Sequence, residues 1–142
     1  MKLIGHLHPL FVHFPIALVL IAAVSEVLAA IQGGRHWRVA AVFNLRIGAI
    51  FAIITAIVGW QLAGSMGIEG IDETRLLELH RWLGVAAACA TAFAALTTIG
   101  ARMQTPARLW SFRVALFSAA LLIAAGGHVG ALLVWGQNFL RP

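Results

Sequence analysis

Six histidines occur among 142 residues, of which 61% are hydrophobic and only 11% charged. His6 precedes the first apolar run and His36 sits beside Arg35 in a loop, so both read as solvent-facing. The other four are set differently. His8 and His13 lie at the start of the first apolar run, His80 at the start of the third, and His128 within the fourth. Ionisable residues inside a membrane segment are rare and face the interior of the bundle by default. Neutral imidazoles gathered at one level of an apolar bundle are suited to axial ligation of a haem iron, to quinone binding or to carrying a proton.

The neighbours of these histidines make room. Gly126, Gly127 and Gly130 surround His128, and Gly84 lies four residues after His80, on the same helical face. Without side-chain bulk there, a flat macrocycle or another helix can approach the backbone closely. Arg81 is placed to pair with a carboxylate such as a haem propionate. Plainer readings stand beside these. Gly126 and Gly130 form a GxxxG pattern, which is also a helix-packing pattern. Arg81 also suits an interfacial anchor, and a single membrane histidine suits a hydrogen-bonded packing role. Cys89, the one cysteine, is flanked by alanines and reads as packing; its solitude excludes an internal disulfide and a CxxCH site for covalent haem. No P-loop, GxGxxG, nucleophile elbow or HExxH is present.

The elements that must position these residues follow from hydropathy. Soluble domains are about 45–50% apolar and about 25% charged, and a mean hydropathy of +0.93 is far from that class. A bilayer core about 30 Å thick requires about 20 apolar residues in a helix. Four segments qualify, predicting helices over about 9–31, 37–66, 75–101 and 108–139 in a single domain, 1–142. The links are short and carry Gly33 and Gly34, Gly67 and Gly70, and Pro106. Short links make neighbours antiparallel, so the expected fold is all-α: an integral membrane up-down four-helix bundle. The first run lacks a small-residue cleavage site and is read as a retained helix. Pro15 is expected to kink it near His13.

Depth gathers the four histidines. His13 lies about 6 Å past Pro9, and His128 about 10 Å before Trp135; His8 and His80 are shallower. All four fall in the same half of the bundle. His8 and His13 point about 140° apart on a regular helix, so they need not share a ligand. The first and third helices should be diagonal across an up-down bundle. That makes His13 with His80 the first axial pair and His13 with His128 the second.

Orientation comes from the basic residues. The segments joining helices 1–2 and 3–4 carry Arg35, Arg38, Arg46, Arg102, Arg108 and Arg113; the opposite side has Lys2, Arg75, Arg81 and Arg141. The bias places both termini outside. The net charge of +5 is read as this orientation signal, with no nucleic-acid partner. Trp37 and Trp110 mark the inner interface, and Trp60, Trp82 and Trp135 the outer one. Glu26 and Arg46, near the inner interface, are expected to pair structurally or snorkel. Glu69, Asp72 and Glu73 form either a docking rim for a basic partner or a solvated loop.

The stretch His8-Pro9-Leu10-Phe11-Val12-His13-Phe14-Pro15-Ile16 resembles the opening signature of a bacterial membrane family, domain of unknown function 2231. Gly59-Trp60, His80-Arg81-Trp82-Leu83-Gly84 and Gly127-His128-Val129-Gly130 resemble the branch associated with c-type cytochromes. In that branch a Thr-His-Gly element often follows near the C-terminus; here the region reads Val134-Trp135-Gly136, without the histidine. Relatives occur fused to or beside c-type cytochrome, Rieske or quinoprotein-dehydrogenase modules. The resemblance thus implies electron transfer at the outer face of a bacterial inner membrane.

The leading expectation is a multi-pass electron-transfer subunit with both termini periplasmic. It would hold non-covalent haem b, with quinone as a second ligand, and pass electrons between the quinone pool and a periplasmic c-type cytochrome or dehydrogenase subunit. The candidate site is His13, His80, His128, His8, Arg81, Gly84, Gly127 and Gly130. Membrane lipid is the other partner. The alternatives are a structural anchor of a larger complex and a copper- or zinc-binding protein using three or four of the histidines.

Overall fold

The computed structural model describes residues 7–64, 71–99 and 105–136, with the backbone alone at 71 and 72. It consists of four helices: α1 (His8–Gln32), α2 (Arg35–Ala63), α3 (Ile71–Thr97) and α4 (Pro106–Trp135). All four are long and apolar enough to cross a membrane. The chain is an integral membrane four-helix bundle, and the described residues contain no strand. The expected ends at 66, 101 and 139, together with Lys2, His6, Glu69, Arg102 and Arg141, lie outside the described residues.

Local chemistry sets the helix ends. Gly33 takes the left-handed conformation (φ 68°) and its N–H donates to Ala29 O at 3.1 Å, closing α1 as only a residue without a β-carbon does cheaply. Gly34 is extended and α2 begins at the next residue, so a two-residue link reverses the chain. Pro106 occupies the first turn of α4, where its missing N–H costs nothing. α1 continues as one helix through Pro15.

Helix order around the bundle follows the chain. α1 packs on α2, α2 on α3 and α3 on α4, and α4 closes on α1, which leaves α1 and α3 diagonal as the short links predict. The interior is built from small residues. Ala22, Ala41, Ala94 and Ala119 are fully buried, whereas Phe112, Leu45 and Leu116 are the largest buried apolar side chains. Large side chains such as Ile31, Leu121 and Val134 point outward. Lipid is as apolar as leucine, so hydrophobicity does not drive these helices together; close approach through small residues does.

One end of the bundle is pinned by charge. Glu26 on α1 is 1% exposed and accepts from Arg38 Nε (3.1 Å) and Nη2 (3.2 Å) on α2 and from Arg113 Nε (2.8 Å) on α4. Arg46 is not its partner. Arg46 donates instead to Thr98 Oγ1 at 2.9 Å and Thr98 O at 2.8 Å, tying α2 to the residue that follows α3.

Candidate functional site

The other end holds a cleft to which all four helices contribute. His8, Val12, Pro15 and Ile16 come from α1; Ala52, Thr55, Ala56, Gly59 and Trp60 from α2. His80, Arg81, Gly84, Ala87 and Ala88 come from α3, and Ile123, Gly126 and Gly127 from α4. The cavity measures about 80 Å³, and the cleft counted out to its open mouth about 620 Å³.

His8 and His80 meet here from the diagonal helices. Their ring centres are 6.2 Å apart with planes at 82°. Each ring is seated against a glycine. A β-carbon at Gly59 would come within 2.5 Å of His8 Cε1, and one at Gly130 within 2.9 Å of His80 Cε1. His80 Nδ1 lies 3.1 Å from Gly126 O. A carbonyl only accepts, so Nδ1 carries the proton and donates, leaving Nε2 with its lone pair. Metal-ligating histidines are commonly oriented in this way, through a bond from the second ring nitrogen.

Three buried side-chain polar atoms have no hydrogen-bond partner among the described residues: His8 Nδ1, Thr55 Oγ1 and Arg81 Nε. All three belong to residues lining this cleft. Buried polar groups are nearly always satisfied, and each exception calls for an explanation. The contrast with Thr91 is direct: equally deep in the bundle, it donates to Ala87 O at 2.6 Å. Arg81 stacks 3.9 Å over the Trp60 ring, and Trp60 meets Trp82 edge-on at 5.7 Å, which fixes the guanidinium at the cleft wall.

Not every expected site residue is in the cleft. His13 is exposed; its Nδ1 donates to Pro9 O at 2.6 Å on its own helix, and the residue does not line the cleft. With His8 facing inward, a residue five positions on points away. His128 is also exposed. Gly126 and Gly130 face the neighbouring helices, and a residue two positions from each lies about 200° around, on the outer surface. The structure therefore brings together His8 and His80, not the expected pairs of His13 with His80 or His13 with His128. Gly84 lines the cleft and a β-carbon there would meet nothing within 4 Å. Gly127 lines it too, 3.5 Å from Ile16 Cδ1 by the same construction, whereas Gly130 only seats His80. Thr55 and the seating role of Gly59 were not anticipated. A lone threonine in the charge-free stretch of α2, four residues before a glycine, was the available signal.

Two histidines at this spacing are a candidate pair for holding a metal. Imidazole nitrogens ligate at about 2.0–2.1 Å, as on zinc, so two rings on opposite sides of one ion have centres about 6 Å apart. The 6.2 Å between the ring centres is of that size, while the Nδ1–Cε1–Nε2 edge of each ring faces a glycine on the neighbouring helix; eight of the positions lining the cleft are glycine or alanine. The described residues hold no group of three or more metal-ligating side chains, so they do not supply the three- or four-histidine copper or zinc site.

Fold and site together define a class: a small multi-pass membrane protein with a histidine-lined cleft at one end of the bundle. The chain belongs to the family described as Predicted membrane protein (DUF2231), whose model matches residues 5–139. No curated protein and no solved structure matches it.

Proposed function

We propose that the chain is a membrane electron-transfer subunit whose cleft binds haem b between His8 and His80. The observation that carries this reading is the diagonal imidazole pair, 6.2 Å between ring centres, in a cleft lined by unpartnered polar atoms. Bound haem would supply a one-electron carrier. The protein's own contribution is positional. Gly126 O holds the His80 ring with Nε2 free, and Gly59 and Gly130 let both rings stand close to the neighbouring backbones. Arg81 offers an unused N–H to a carboxylate at the cleft wall, and Thr55 offers a hydroxyl inside it. The apolar walls exclude water and raise the influence of these few dipoles.

The site sits at one end of the bundle only, so it cannot by itself carry electrons across the bilayer. This supports a relay between quinone in the membrane and a redox protein on one face. The basic bias of the opposite end supports reading that face as the periplasmic side of a bacterial inner membrane. A c-type cytochrome or dehydrogenase subunit is the partner this reading requires.

The test is the absorption spectrum of protein purified from cells supplied with iron and haem precursor. A low-spin b-type spectrum that sharpens on dithionite reduction is expected. His8→Ala and His80→Ala should each abolish it or convert it to high spin, while His13→Ala, His128→Ala and His36→Ala keep it. A colourless protein, or loss in His13→Ala with retention in His8→Ala, overturns the assignment.

A further inference from the structure

At the opposite end of the bundle a second concavity has a different chemistry. It is a groove of about 600 Å³ beginning at the Gly33–Gly34 turn and running along one face of α2. That face presents Arg35, Arg38, Val39, Val42, Phe43 and Arg46, the spacing of a single helical stripe. Val39 and Phe43 are 60% and 61% exposed. The groove exists because α3 stops early. Arg46 bonds the residue just past the end of α3, so among the described residues the first three turns of α2 continue beyond α3 on that side.

The depth of this stripe is set by the sequence. From Ile47 to Ala63 α2 is free of charge, but that stretch spans only about 25 Å, so a hydrocarbon core of about 30 Å reaches back past Arg46 to the neighbourhood of Phe43. Arg46 therefore stands just inside the hydrocarbon, bonded to Thr98, and Arg35 and Arg38 stand in the headgroup layer. Glu26 offsets one of the neighbouring positive charges, and the first turn of α2 contains no acidic side chain. The groove thus combines a cationic rim at headgroup depth with an apolar floor that starts among the arginines and leads toward the hydrocarbon.

We propose that this groove is a binding site for an anionic phospholipid. The headgroup phosphate would sit between Arg35 and Arg38, and an acyl chain would lie along Val39, Val42 and Phe43. Both halves of the lining are needed to choose the occupant: free phosphate makes no use of the apolar floor, and a neutral lipid makes no use of the net positive rim. The site is independent of the haem reading and lies at the other end of the molecule.

The full chain in detergent is titrated with short-chain phosphatidylglycerol, short-chain phosphatidylcholine or inorganic phosphate, and its thermal midpoint is followed by circular dichroism. Phosphatidylglycerol should raise the midpoint saturably, and the other two should not. Arg35→Gln should weaken the apparent affinity by about fivefold, the worth of one arginine near an anionic surface. Arg108→Gln removes the same charge from the same end outside the groove and should leave the affinity unchanged. Arg35→Gln is the primary variant because Arg38 and Arg46 also hold the bundle together. Equal stabilisation by phosphatidylcholine or by phosphate, or equal losses in Arg35→Gln and Arg108→Gln, overturns the proposal.

Discussion

Gly130 stands against the edge of His80, so that a β-carbon on the glycine would come within 2.9 Å of the imidazole Cε1. The place of a ring on α3 is set by the absence of a methyl group on α4. Gly59 and His8 repeat the relationship between α2 and α1, at 2.5 Å.

Gly130→Ala and Gly59→Ala should therefore displace their histidines and cost about 1–3 kcal/mol by overpacking. Gly84→Ala should behave oppositely. Its β-carbon would enter open space, and alanine in a helix interior gains about 0.5–1 kcal/mol over glycine. Yet that methyl group fills part of the cleft, so haem retention should fall while stability rises. Chemical denaturation followed by circular dichroism, beside the absorption spectrum, checks both signs.

Thr55→Val should stabilise the ligand-free protein by about 1 kcal/mol, because it replaces a buried unpartnered hydroxyl by a methyl group of the same shape. Thr91→Val should cost about 0.5–1.5 kcal/mol, since that hydroxyl donates to Ala87 O. The same order for both variants would show that Thr55 is satisfied in the folded protein and does not await a ligand.

Glu26→Ala removes the common acceptor of two arginines on two other helices. Breaking a buried pair costs about 3–5 kcal/mol, and the lower end applies here because the released guanidiniums are partly exposed. Arg113→Ala should cost less than Glu26→Ala, as Arg38 still bonds both carboxylate oxygens. Unfolding midpoints of the two variants should fall in that order.

Membrane orientation is open to direct labelling. With cysteine at position 35 or 72 in a Cys89→Ser background, an impermeant thiol reagent added to intact cells should modify position 72 and leave position 35 silent. The reverse pattern would put the histidine cleft on the cytoplasmic side and defeat the periplasmic relay.

The fold was legible because membrane spans are written in hydropathy, and short links allow few topologies. The diagonal placement of α1 and α3 followed from the same links. The histidines were harder. Depth along a helix follows from counting, and that alone made His13 and His128 attractive. Facing depends on which side of each helix the neighbours cover, and in helices apolar all round the sequence carries almost no periodic signal of it. The 140° between His8 and His13 meant that one of them had to turn away, but only packing could say which. Arg46 carried a similar ambiguity: its depth matched that of Glu26, yet its side chain found Thr98.

Glu26 gives the molecule the mechanics of a clothes-peg. Three helices are clipped together by charge at one end, while their far ends part around loosely filled space. On the proposed reading a bulky group would enter the cleft at the end away from that clip and leave the fold's own fastening untouched. Loading would then be a late step, separable from insertion into the bilayer. The empty and filled proteins should share one topology.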